Sequence, residues 1–239
     1  MDVSMVEINP SHVGIDREQI ALLAGFDAHD VPEPYAGIIQ TEMDYLLQHC
    51  VIQGGFGISR NIEIQPEKGM FLLDGVAFHA GKKIARFLDR SERLALYVCS
   101  AGEAVSRRAS KLMESGNMLE GYFADLAGSL LVDNALDWLH KRLADEMKKG
   151  GFEITNRYSP GYWSWSVKEQ HKLFGFFPPG FCGVHLRESG MMSPVKTASG
   201  VIGAGRNVEF HKYLCDECNS TQCIYRHRKH QLNSKFACY

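Results

Sequence analysis

Two short stretches of this 239-residue chain carry residue types suited to chemistry. The first is Arg157-Tyr158-Ser159-Pro160-Gly161-Tyr162. An arginine grips a carboxylate through two parallel hydrogen bonds. Pro160 fixes a turn, and Gly161 lets the backbone approach a ligand closely. Tyr162 adds a ring face and a hydroxyl. Such a turn can hold the amino-acid end of a small molecule. Taken alone, the six residues more often describe a surface turn with a salt-bridged arginine and a packed tyrosine.

The second stretch is Cys215-x2-Cys218-x4-Cys223, with Cys238 near the end of the chain. Thiolates at short spacing converge on a soft metal because short loops close at low entropic cost. A fourth ligand from Cys238, His227 or His211 suits tetrahedral zinc. An iron–sulfur cluster fits the same cysteines equally well. Free thiols are the competing reading. The basic run Arg226-His227-Arg228-Lys229-His230 can offset thiolate charge or meet an acidic partner such as a flavodoxin, although a solvated terminal face is its plainer reading.

Further runs extend the first stretch: Ser166 to Phe174, Leu186-Arg187-Glu188-Ser189-Gly190-Met191-Met192-Ser193-Pro194, and Thr197-Ala198-Ser199-Gly200. Together with Arg157, Gly161 and Tyr162 they resemble the activation domain of cobalamin (vitamin B12)-dependent methionine synthase, here as a free-standing chain. The similarity covers roughly Leu94 to Gly200. Two departures stand out. Arg187 occupies a position where the family has threonine, and the family's His-Pro and aromatic tail is absent after Gly200. The acidic residue that the family uses from its N-terminal part cannot be aligned.

The resemblance implies a mixed α+β fold: a bent, largely antiparallel sheet with flanking helices over residues 1–212, followed by a cysteine-rich basic tail over 213–239. It implies S-adenosylmethionine as ligand. Arg157, Gly161 and Tyr162 would be contacts, backbone groups at Ser159 and Pro160 would assist, and Glu188 would stand in the site. The implied role is accessory: reductive methylation of cob(II)alamin carried by a methionine synthase or other corrinoid protein, with electrons from a flavodoxin- or ferredoxin-type donor. Cobalt is the nucleophile in that chemistry, so no side chain here needs to be one. Two other readings stay open. One is an activator of a different corrinoid methyltransferase system with an iron–sulfur cluster in the tail, and the other a non-enzymatic, zinc-stabilised binding module.

The elements that must position these residues are partly readable. Asp16 caps a helix through Leu23 that Gly25 stops; Thr41 and Asp44 cap a second. Gly54-Gly55-Phe56-Gly57 reads as a flexible connection between helix and strand. Ile58, Ile62 and Ile64, then Met70 to Phe78, read as β structure. Lys82 to Leu88 predicts a short amphipathic helix, Leu94 to Cys99 a buried strand, and Ala104 to Met113 a helix. Met118 to Lys149 carries apolar residues at helical spacing, as one element or two with a break near Gly128. Asp133 and Asp137 lie one turn apart on it, a spacing usually solvated. Gly183 to Leu186 predicts a strand, and Gly203-Ala204-Gly205 a turn.

Composition excludes several classes. A net charge of -2 gives no electrostatic reason to expect nucleic acid or an anionic membrane. No apolar run approaches the roughly 18 residues of a spanning helix. Met1 to Pro10 lacks the basic-then-apolar pattern of a signal peptide, which predicts a cytoplasmic protein. In that compartment seven cysteines argue for thiols or metal ligands over disulfides. Cys50, Cys99 and Cys182 sit in apolar contexts and read as core.

Overall fold

A computed structural model describes residues 1–211. Cys215, Cys218, Cys223 and Cys238 lie outside the described residues. The chain opens with β1 (Asp2–Ile8), α1 (Pro10–Val13), α2 (Arg17–Ala24) and α3 (Tyr35–His49). Next come β2 (Ile52–Ser59), a meander of β3 (Ile62–Gln65), β4 (Met70–Leu73) and β5 (Val76–Phe78), then α4 (Lys82–Phe87) and β6 (Arg93–Ser100). α5 (Glu103–Glu114) and α6 (Met118–Lys148) lead to β7 (Glu153–Tyr158) and α7 (Gln170–Phe174). A small ladder of β8 (His185–Leu186) and β9 (Met192–Ser193) precedes β10 (Thr197–Gly205).

The main sheet has the order β1-β2-β6-β10-β7, and its pairings are all antiparallel. Its central strand explains the two cores. Successive residues of a strand face opposite sides. In β6, Ala95, Tyr97 and Cys99 join the core beneath α2, α3 and α6. Leu94, Leu96 and Val98 join a second core with Phe71, Phe78, Trp165, Phe177 and Phe181. A stretch buried on both faces must be largely apolar, as Leu94 to Cys99 is here. The mixed α+β class with a largely antiparallel sheet is what the sequence predicts.

Several local expectations hold. Asp16 caps α2 in a capping box with Gln19, and Gly25 closes it in the left-handed region. α6 runs unbroken through Gly128. That glycine serves close approach: a Cβ there would stand 2.0 Å from Cγ1 of Val105 on α5.

Other expectations fail. Gly54 to Gly57 is no connection but the middle of β2. A Cβ at Gly55 would meet Ser4 O at 2.3 Å and the Phe181 ring at 2.6 Å, so these glycines let neighbouring layers touch. Gly203 and Gly205 end β10 for a similar reason: a Cβ at Gly203 would meet Oγ of Ser91 at 2.1 Å. Thr41 and Asp44 cap nothing. α3 begins one turn and more before them at Tyr35, and Thr41 hydrogen-bonds back to Gly37 O. The strand expected from Gly183 is only His185–Leu186, preceded by a 3-10 turn at Phe181–Gly183. Among the described residues no helix is long and apolar enough to cross a membrane.

Candidate functional site

Arg157 is aimed by a bulge in β7. Tyr158 pairs with Val201 and Arg157 with Ile202, but the next pair is Ile154 with Ala204. Thr155 and Asn156 therefore oppose Gly203 alone, and the extra residue changes the strand's twist and direction. Polar groups hold the bulge. Oγ1 of Thr155 accepts from Gly203 N at 2.9 Å and donates to Asn156 O at 2.9 Å. Nε2 of His140 on α6 donates to Thr155 O at 3.0 Å.

Beyond the bulge, adjacent residues part company. Tyr158 enters the second core, its ring parallel to Phe87 at 5.6 Å. Arg157 turns to α6, where Nη2 donates to Oδ1 of Asp137 at 2.6 Å. Among the described residues Nη1 of Arg157 is buried without a hydrogen-bond partner. Asp137 keeps 37% of its side chain exposed but is ion-paired, which the spacing argument did not foresee; Asp133, one turn earlier, is exposed.

The turn that follows is stitched at several points. Tyr162 N donates to Ser159 O at 3.0 Å, Gly161 N to Trp165 O at 2.7 Å, and Trp165 N to Tyr162 O at 2.9 Å. Gly161 has φ +102°, a conformation that favours glycine. Pro160 is buried, while Tyr162 keeps 48% of its surface exposed. Oγ of Ser159 bonds the hydroxyl of Tyr97 at 3.0 Å. Gly200 on β10 permits this: a Cβ there would stand 2.1 Å from Tyr158 O and 2.8 Å from the Tyr97 hydroxyl.

The structure brings Arg157, Ser159, Pro160, Gly161 and Tyr162 together and adds Asp137, Tyr97 and Gly200. Glu188 is exposed on the neighbouring loop, with its backbone carbonyl 3.2 Å from Nε2 of His171. That loop and the Gly161 turn meet on Val167: a Cβ at Gly190 would be 2.7 Å from its carbonyl, one at Gly161 3.3 Å from its Cγ2.

Electrostatics follow from this packing. Burial raises the Asp137 carboxyl above its ordinary range, against the pull of Arg157. Arg157 stays charged despite burial because Asp137, then Tyr97 and Tyr162, favour its cation. Burial, then Arg157, pushes His140 down to about 4, so its imidazole is neutral at physiological pH. Burial pushes the thiols of Cys99 and Cys182 up to about 12 and Cys50 to about 11. These three are core thiols, not nucleophiles. Among the described residues no group of three His, Cys, Asp or Glu side chains could hold a metal ion.

Asp137 and Tyr97 escaped sequence reasoning. Their signal was weak but present: a carboxylate inside the apolar run Leu130 to Leu139, and a lone hydroxyl in the apolar run Leu94 to Cys99. A polar group in such a run must find a partner.

No family model and no curated protein matches this sequence. Among solved structures, the MetH reactivation domain bound to AdoHcy matches with a TM-score of 0.64 over 88% of this chain and 81% of that one. Identity is 12%, so the likeness is one of fold. This chain therefore shares the mixed helix and antiparallel sheet fold of the MetH reactivation domain.

Proposed function

We propose that this protein binds S-adenosylmethionine at the Arg157 turn and assists reductive reactivation of a cobalamin-dependent methionine synthase. One observation carries the reading: among the described residues Nη1 of Arg157 is buried without a hydrogen-bond partner, on the strand that leads into the Ser159–Tyr162 turn, in a fold whose solved neighbour holds AdoHcy. A buried donor without a partner costs about 1–3 kcal/mol. A ligand carboxylate at Nη1 would relieve that cost, and Asp137 has already fixed the guanidinium that receives it. Binding then orders little that is not already ordered.

The residues divide the work. Arg157 holds the carboxylate, and Asp137 braces Arg157. Gly161 lets the backbone lie close to the ligand, Ser159 fixes the turn to Tyr97, and the exposed Tyr162 ring covers the bound molecule. Glu188 is the rim residue on the adjoining loop. Bound S-adenosylmethionine supplies a sulfonium methyl for transfer, and the corrinoid is brought by a partner protein with its own electron donor. The cysteine tail, as a zinc or iron–sulfur site, belongs to the same proposal.

Calorimetry with S-adenosylmethionine and with AdoHcy tests the reading, beside the Arg157→Ala variant. Saturable binding that weakens by about a hundredfold or more in the variant, roughly 2.7 kcal/mol, is the expected result. Equal affinity in both proteins, or none in the wild type, overturns it.

A further inference from the structure

The ligand turn does not fold against its own strand alone. Its backbone bonds run to Trp165, through Gly161 N to Trp165 O at 2.7 Å and Trp165 N to Tyr162 O at 2.9 Å. The Trp165 side chain is 2% exposed. Its ring meets Phe71 edge-on at 5.8 Å and Phe78 edge-on at 6.3 Å. Its Nε1 donates to Oε2 of Glu169 at 2.9 Å.

Glu169 is a buried carboxylate that gathers three donors. His79 N, at the end of β5, donates to Oε2 at 2.8 Å, alongside the indole. Nζ of Lys172 donates to Oε1 at 2.5 Å and also to Ala77 O at 2.8 Å. Such charge-assisted bonds are the strong ones, and a carboxylate that accepts several N–H groups is fixed in place. The next residue, Gln170, serves the opposite wall. Its Oε1 accepts from Oγ of Ser199 at 2.7 Å, both side chains buried, immediately before Gly200.

We propose that Glu169 and Gln170 are positioning residues: Glu169 fixes Trp165 and through it the backbone of Gly161 and Tyr162, and Gln170 fixes Ser199 beside Gly200. Neither needs to touch the ligand. One short segment thereby ties the turn to the small β3–β5 sheet and sets its spacing from β10. The inference rests on the proposed ligand site but concerns how that site is held.

The test is AdoHcy affinity and thermal stability of three variants of the whole chain. Glu169→Gln removes the charge that gathers the donors. Trp165→Phe removes one hydrogen bond and keeps most of the ring packing. Glu42→Gln is the control, a buried carboxylate paired with Arg108 between α3 and α5, away from the turn. Expected are an affinity loss of about tenfold for Glu169→Gln and about threefold for Trp165→Phe, and wild-type affinity for Glu42→Gln despite its lower Tm. Should Glu169→Gln not fold, Trp165→Phe carries the test. Wild-type affinity in Trp165→Phe and Glu169→Gln, or an equal loss in Glu42→Gln, overturns the proposal.

If the wild type binds no AdoHcy, the ligand reading fails and amide exchange decides this one separately. Faster exchange at Gly161 and Trp165 in Glu169→Gln, with α6 unchanged, supports the positioning role. Unchanged exchange at both amides overturns it.

Discussion

Arg108 and Arg157 each leave their own element to meet a carboxylate on a separate α-helix. Arg108 on α5 gives Nε to Oε2 of Glu42 at 3.0 Å and Nη2 to Oε1 at 2.8 Å, and its guanidinium lies over the Tyr45 ring at 4.6 Å. Both carboxylate oxygens are taken. Among the described residues the Arg157 guanidinium makes one hydrogen bond, to Asp137, and keeps a buried Nη1 unpartnered. The first pair staples α3 to α5. The second spends half of the arginine's bidentate capacity on orientation and holds the rest in reserve. The same ion-pair chemistry is structural when saturated and site-forming when not.

The saturated pair carries the largest expected effect. Glu42 is only 1% exposed at its side chain, so Arg108→Ala strands a buried charge. Breaking one partner of such a pair costs about 3–5 kcal/mol. The lower end is expected, about 3 kcal/mol by urea unfolding, because Arg108 itself is partly exposed, and AdoHcy affinity should not change. A loss below about 1 kcal/mol would make this pair no more structural than a surface bridge. Arg157→Ala should behave in the opposite sense. Its main effect is on ligand affinity, and its stability cost is about 1 kcal/mol, since Asp137 keeps 37% of its side chain exposed and water can replace the lost partner. A stability loss as large as that of Arg108→Ala would mean that Arg157 is a staple too. Gly200→Ala comes next. The added methyl would press on Tyr158 O and the Tyr97 hydroxyl, at about 2 kcal/mol by overpacking. It should also weaken AdoHcy binding, because the Tyr97–Ser159 bond moves with it. Wild-type stability and affinity in this variant would remove Gly200 from the site.

How much of this was legible in the sequence depends on whether a residue's partner is near it in the chain. α2 announces itself through Asp16, Gln19 and Gly25, and β6 through an unbroken apolar run, because the forces that make them act locally. The Arg157 turn is legible for the same reason: Pro160 and Gly161 set its backbone by their own chemistry. The failures involve distant partners. Gly55 and Gly203 look like loop residues until Ser4, Phe181 and Ser91 are seen pressing on them. The bulge at Thr155 depends on His140 and on Gly203. Asp137 looks solvated on a helical wheel, and only the approach of β7, 20 residues later, makes it the brace of Arg157. Asp16 and Asp137 thus differ in one respect only. The first finds its donors within three residues, the second on a strand 20 residues further along the chain.

The smallest effect reads the charge of Arg157 directly. His140 is buried, bonds Thr155 O through Nε2, and titrates at about 4 instead of 6.5, from burial first and Arg157 second. A histidine whose folded pKa is lowered takes up a proton more readily when unfolded. Between pH 6.5 and about 4, therefore, the unfolded chain binds a proton that the folded chain refuses. This contribution, roughly 3 kcal/mol at most, is complete above pH 6.5 and disappears progressively as the pH falls toward 4. In Arg157→Met the repulsion goes and burial stays, so the His140 pKa should rise yet remain below 6.5. Its acid-side stability loss should then end at a higher pH. Arg108→Met, which changes a charge that does not act on His140, should leave the value alone. NMR titration of the His140 ring protons in the three proteins measures this. A wild-type value near 6.5 would open the bulge to solvent, and one unmoved by Arg157→Met would place the guanidinium charge elsewhere.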